Sequence, residues 1–169
     1  MKKETIRELI IYGSVILAII LIRTFVITPV RVNGTSMYST LKDGEIMILN
    51  KLDYKFNDIE RFDIVVVKTD SNKIIKRVIG LPGESIRYVD NTLYINDKKI
   101  DETYLKDKTD DFDLQELGYD RIPDDCYFVL GDNRDNSSDS RVIGPVKKSQ
   151  IEGSASLVLF PFKEAGIKK

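Results

Sequence analysis

The run from Leu9 to Ile22, LIIYGSVILAIILI, constrains what this chain can become more than any other stretch. It is apolar on every side, so no rotation of a helix here leaves a polar face for water. Arg23 interrupts the run, and Phe25, Val26 and Ile27 resume it before Pro29. Read through the arginine, the stretch has about the 20 residues that a membrane-spanning helix needs. Arg23 lies near one end, where a long side chain can snorkel to the interface. Lys2, Lys3 and Arg7 precede the run, which places the N-terminus in the cytoplasm and the rest of the chain outside. A cleaved signal peptide would share the basic start and apolar centre, but no Ala-x-Ala-like site follows. A buried core helix would carry a polar stripe, and none is present. The expected organisation is a cytoplasmic N-terminus over 1–8, a transmembrane anchor over 9–28 and an extracytoplasmic domain over 29–169.

After Pro29 the hydrophobic period shortens. Glu45–Leu49, Phe62–Val67, Lys73–Ile79, Ser85–Val89 and Leu93–Asn96 are short runs rich in β-forming residues. Asp70-Ser71-Asn72, Pro82-Gly83 and Asp90-Asn91 separate them as turns. Tyr127–Leu130 and Ser156–Phe160 add two strands. Long amphipathic helices are absent from the pattern, so the fold class is mainly β: an antiparallel sheet system or small barrel behind one N-terminal helix. Residues 102–124 are polar and acidic and read as an exposed excursion with one helical turn near Asp113–Leu117.

Composition closes several routes. There is no histidine, which excludes Ser-His and Cys-His catalysis within the chain and any His-ligated metal. A serine hydrolase built from this sequence must draw its base from Lys, Asp or Glu. The single cysteine, Cys126, cannot form an internal disulfide, and its setting in CYFVL is that of a small core hydrophobe. The net charge of −1 calls for no nucleic-acid partner. No metal or organic cofactor is expected.

Three segments carry the chemistry. Gly131–Arg141, GDNRDNSSDSR, sets three Asp and two Arg directly behind the apolar Tyr127–Leu130. Those charges can neutralise one another in a buried polar network beside a site, or lie solvated in a surface loop. GTSMYSTL holds Ser36 in a turn-like stretch just beyond the anchor. KRVIGLPGE begins with Lys76. Strand alternation puts Lys76 on the face of Ile74 and Val78, and Arg77 on the face of Ile75 and Ile79. If the first face is inward, desolvation lowers the amine pKa, as a lysine general base requires. Both faces carry apolar residues, so alternation leaves the direction of Lys76 open.

In this order, behind an N-terminal anchor, the three segments resemble bacterial type I signal peptidases over nearly the whole chain, with a Gram-positive-type pattern. The resemblance implies a membrane-bound Ser-Lys endopeptidase that removes signal peptides from exported preproteins. By motif position it implies Ser36 as nucleophile, Lys76 as general base and Ser137 as the hydroxyl that orients the amine. It implies Asp132 with Arg77, and Asp139 with Arg141, as structural pairs near the site. Val30, Val32, Leu41 and Ile75 fall at positions that line small apolar substrate pockets, with Ala-x-Ala-like specificity. An extended substrate could add a strand along Val30–Thr35 and Lys73–Lys76. The implied partners are preproteins and membrane lipid near the secretion translocon, with no nucleic acid. Two departures stand out. Ser39 occupies a position where the family usually has proline. Gly34 stands where some members have an oxyanion-donating serine, which leaves the oxyanion to backbone amides, chiefly that of Ser36. Other readings are a different Ser-Lys protease of this fold, a mitochondrial inner-membrane peptidase, or an anchored non-catalytic protein. A self-cleaving repressor would carry a DNA-binding module where this chain has an apolar helix, and a non-catalytic protein would have lost Ser36 or Lys76.

Overall fold

A computed structural model describes residues 3–70 and 72–168. Met1 and Lys2 of the expected cytoplasmic segment, Ser71 of an expected turn, and Lys169 lie outside the described residues. Helix α1 covers Lys3–Phe25. From Glu4 to Phe25 it is exposed throughout, as a helix whose solvent is lipid must be. It ends before the expected boundary at 28. Ile27 already opens strand β1, Ile27–Arg31, because Pro29 cannot continue a helix but is tolerated on an edge strand.

The strands that follow are β2 (Ile46–Asn50), β3 (Ile64–Lys68), β4 (Lys73–Gly80), β5 (Ile86–Val89), β6 (Thr92–Ile95), β7 (Lys98–Ile100), β8 (Phe112–Asp113), β9 (Cys126–Leu130), β10 (Val146–Lys147), β11 (Ile151–Phe160) and β12 (Gly166–Ile167). The larger sheet runs β1-β2-β11-β3-β4-β9-β10, with β12 on β11. The smaller runs β7-β6-β5-β8. Every pairing is antiparallel. The fold is therefore mainly antiparallel β behind an apolar helix, as the periodicity requires.

The core has three parts. Met37, Leu41, Met47, Leu49, Ile64 and Val66 pack beneath the loop that follows β1. Val65, Val67, Val78 and Val129 fill a second cluster. The third joins the sheets through Ile79, Ile86, Tyr88, Phe128 and Leu130, and Cys126 belongs to it as a buried free thiol. Phe112, Leu114 and Ile122 are buried in that third cluster too. The segment 102–124 is thus not a solvated excursion over its whole length. Its expected helical turn forms at Leu114–Leu117, closed by a reciprocal cap between Asp113 and Glu116.

Strand β4 explains why alternation left Lys76 undirected. It lies between β3 and β9, with Lys76 opposite Val65 and Arg77 between Ile64 and Leu130. Both faces are covered, so Lys76 at 2% exposure and Arg77 at 0% are both buried. The second half of the KRVIGLPGE segment is structural. Glu84 accepts two hydrogen bonds from Arg61, at 2.9 and 2.6 Å, and one from the Leu81 amide at 2.8 Å. These tie down the Pro82-Gly83 turn.

Candidate active site

Ser36 sits half-buried on the loop between β1 and β2. Two side chains of that loop, Met37 and Leu41, are fully inserted into the core. The Gly34 amide donates to Asp43 Oδ1 at 2.7 Å and closes the loop at its base. Ser39 takes φ = +86°, a left-handed conformation that proline cannot adopt. The turn here is therefore not the one a proline would fix. The Ser39 hydroxyl is buried and has no hydrogen-bond partner among the described residues.

The loop Gly131–Arg141 leaves the sheet at Leu130, directly beside Arg77, and folds back over Ser36. The Asn133 amide donates to the Ser36 carbonyl at 3.0 Å. The Asn133 side chain donates to the Thr35 carbonyl at 3.1 Å, and Asn136 donates to Thr35 Oγ1 at 2.9 Å. Thr40 Oγ1 donates to Asp132 at 2.5 Å. A Cβ at Gly131 would collide with the Ser36 carbonyl and the Ser137 side chain, so only glycine lets these two approach. Lys76 Nζ donates to Ser137 Oγ at 3.0 Å. Ser36, Gly131, Ser137 and Lys76 are thus brought together across 101 residues of chain. Among the described residues no hydrogen bond joins Ser36 Oγ to Lys76; the two meet at the same loop through Gly131 and Ser137.

The Lys76 amine is pushed down from 10.5 to about 8. Burial is the main cause. Asp139 opposes it, Arg141 reinforces it, and Asp132 opposes it more weakly.

Charges around the amine are paired. Arg77 binds Asp132 through two bonds, Nε to Oδ1 at 2.9 Å and Nη2 to Oδ2 at 2.6 Å, with both side chains fully buried. Asp139 receives Arg141 at 2.9 Å on each oxygen and also accepts from the Gly131 amide at 3.1 Å. Four sequence positions thus form two pairs, and each pair fixes the backbone that carries Gly131 or Asp132.

A third pair was not anticipated. Arg134 is buried and donates to Glu102 Oε1 at 2.6 Å, Thr109 Oγ1 at 2.6 Å and the Tyr88 hydroxyl at 3.0 Å. Its Nε donates to the Gly131 carbonyl at 3.0 Å. Tyr104 donates to Glu102 at 2.6 Å, and its ring lies 3.9 Å from the Arg77 guanidinium carbon. Burial keeps the Tyr88 and Tyr104 phenols protonated well above their ordinary range. The only sequence signal was an arginine inside the acidic loop with no evident partner. Its partner lies in the segment whose polarity read as solvent-exposed.

A groove of about 190 Å³ opens beside Ser36, lined by Val32, Met37, Ile74 and Ile75 with polar ends at Arg31, Asn33, Asn72 and Lys73. Of the four expected pocket residues, Val32 and Ile75 line it. Val30 and Leu41 pack into the cluster behind it and do not. Met37 lines it and was missed. Among the described residues no cluster of metal-ligating side chains occurs.

Residues 4–160 match the family model described as "Signal peptidase, peptidase S26". Signal peptidase I S of Bacillus subtilis is 42% identical over 173 residues, 96% of this chain and 94% of that protein. Signal peptidase I of Bacillus caldolyticus is 46% identical over 154 residues, covering 85% of each chain. A crystal structure of a signal peptidase I from Enterococcus faecalis superposes with a TM-score of 0.54 at 40% identity, covering 58% of this chain and 97% of that one. A family match over nearly the whole chain, with relatives above 40% identical along most of it, identifies this protein as a member of the signal peptidase family.

Proposed function

We propose that this chain cleaves signal peptides from exported preproteins with Ser36 as nucleophile and Lys76 as general base. One observation carries the assignment: Lys76 is buried, held at about 8, and hydrogen-bonded to Ser137 on the loop that touches the Ser36 backbone. With no histidine in the chain, this amine is the base that can be neutral near physiological pH. A neutral Lys76 takes the proton of the Ser36 hydroxyl as Ser36 attacks the scissile carbonyl. The resulting ammonium then protonates the leaving amine. Ser137 fixes the direction of the amine and does not itself react. The Ser36 backbone amide serves the oxyanion, with the loop held still by Asn133. The deacylating water passes its proton to Lys76 in the same way.

The substrate runs extended through the groove between Val32 and Ile75, adding to strands β1 and β4. Small residues such as alanine fit beside these side chains, and bulk does not. Val30 and Leu41 act from behind, by setting the depth of the groove. The basic residues before α1 favour a cytoplasmic N-terminus and an extracytoplasmic β domain. There the domain meets preproteins on the membrane face where they emerge from the translocon, which raises their effective concentration.

The test is cleavage of a model preprotein by the full chain. Ser36→Ala and Lys76→Ala each abolish it, and the double variant is no worse than either, because the two act as a unit. Substantial turnover by Ser36→Ala sinks the assignment.

A further inference from the structure

Where α1 meets the β domain, a second concavity of about 320 Å³ is lined by Thr24, Phe25, Lys51, Lys55, Lys73 and Glu152. We propose that it binds the phosphate of an anionic lipid headgroup. The inference rests on α1 spanning the bilayer.

Three lysines face one carboxylate there. Lys73 is paired with Glu152 at 2.6 Å, which leaves Lys51 and Lys55 in excess. The neighbouring Asp53 is engaged with Asn57 and Ser154 and does not line the pocket. Lys51 Nζ donates to the Thr24 carbonyl at 2.9 Å and to that of Arg23 at 3.4 Å. Its ammonium therefore sits on the negative end of the α1 dipole, and among the described residues one of its three donors has no partner. A helix of 23 residues is about 34 Å long, against a hydrocarbon layer of about 30 Å. Arg23 breaks the apolar run just before the pocket, and its long side chain reaches the interface there, so the last turn of α1, and with it the pocket, lies at headgroup level. Phe25 and Phe56, 58% and 81% exposed, flank the lysines and suit the same boundary layer.

The shared chemistry is a phosphate, from a lipid or free in solution. The pocket favours the lipid because the last residues of the spanning helix form part of its wall. Lys73 also lines the groove beside Ser36, so a bound headgroup lies next to the substrate path.

The full chain is placed in nanodiscs of phosphatidylcholine with and without phosphatidylglycerol, and native mass spectrometry counts the lipids it retains. The wild type retains phosphatidylglycerol preferentially. Lys51→Gln with Lys55→Gln lowers that preference about tenfold. Lys51→Arg with Lys55→Arg keeps it, which separates lost charge from lost folding. Lys98→Gln with Lys99→Gln, on β7 of the smaller sheet, keeps it as well. Equal retention of both lipids by the wild type, or equal loss in the β7 variant, overturns the proposal. So does complete displacement of the lipid by inorganic phosphate, which assigns the pocket to free phosphate. Failure of α1 to span would read out differently, as protein lost from the discs.

Discussion

Lys76 Nζ donates to Ser137 Oγ at 3.0 Å, and Ser137 lies on a loop whose Gly131 touches the Ser36 backbone. One hydroxyl therefore links Lys76 on β4 to the loop after β1 that carries Ser36. Ser137→Ala removes that alignment and leaves the amine without its partner. The expected kcat loss is about 5- to 150-fold, from roughly 1–3 kcal/mol of lost positioning. Thermal stability changes little. An unchanged kcat shows that Lys76 is oriented by something else.

With Lys76 as the proposed base, the rate is expected to depend on pH through the same lysine. Burial disfavours the ammonium, so the neutral base appears at lower pH than for a free amine. The value of kcat/KM rises with pH and levels off above about 8 rather than near 10.5. The sign for stability follows. The folded state releases this proton near 8 and the unfolded chain near 10.5, so stability rises with pH between those values. Below 8 the burial cost is fully present. Lys76→Met is therefore inactive yet more stable at neutral pH by about 1–3 kcal/mol, read as a higher Tm.

Gly131→Ala tests the close approach of the two loops. The new methyl meets the Ser36 carbonyl and the Ser137 side chain, so one of them must move. Overpacking of this kind costs about 1–3 kcal/mol. The displacement falls on the backbone that carries Ser36 and on the hydroxyl that orients Lys76, so kcat drops about 10- to 100-fold. Full activity in this variant contradicts the geometry of the loop.

The Arg134–Glu102 pair is the third support of the loop, through the bond from Arg134 to the Gly131 carbonyl. Glu102→Ala leaves a buried guanidinium uncompensated and costs about 3–5 kcal/mol. Arg134→Met with Glu102→Ala costs less than the sum of the single changes, since neither charge is then left alone. Additive losses in a thermal double-mutant cycle exclude the coupling.

Most of the longer strands and the apolar helix were legible because each is written locally, though Ile27–Arg31, Lys98–Ile100 and the first half of Ile151–Phe160 were not read as strands. Period and turn residues mark Ile46–Asn50 or Ile86–Val89 within a residue or so. The short strands Phe112–Asp113, Val146–Lys147 and Gly166–Ile167 escaped, since two residues carry no period. Segment 102–124 was misjudged because hydropathy counts Glu102, Tyr104 and Thr109 as polar. Thr109 is buried and Glu102 and Tyr104 are half-buried because Arg134, far along the chain, donates to all three.

The sequence alone determined that an all-round apolar helix precedes an antiparallel β domain, and that a histidine-free chain must take its base from Lys, Asp or Glu. Those follow from composition and period, which act between near neighbours. It also displayed Ser36, Lys76 and the charged loop, but not their relation. Only the tertiary structure decided that Lys76 points into a desolvated site. From Lys76 to Gly80 strand β4 is covered on both faces, and a strand covered on both faces has no polar side to read. The structure likewise decided which carboxylate compensates which guanidinium. Such pairing is non-local, and its energy appears only once water has been excluded from both partners.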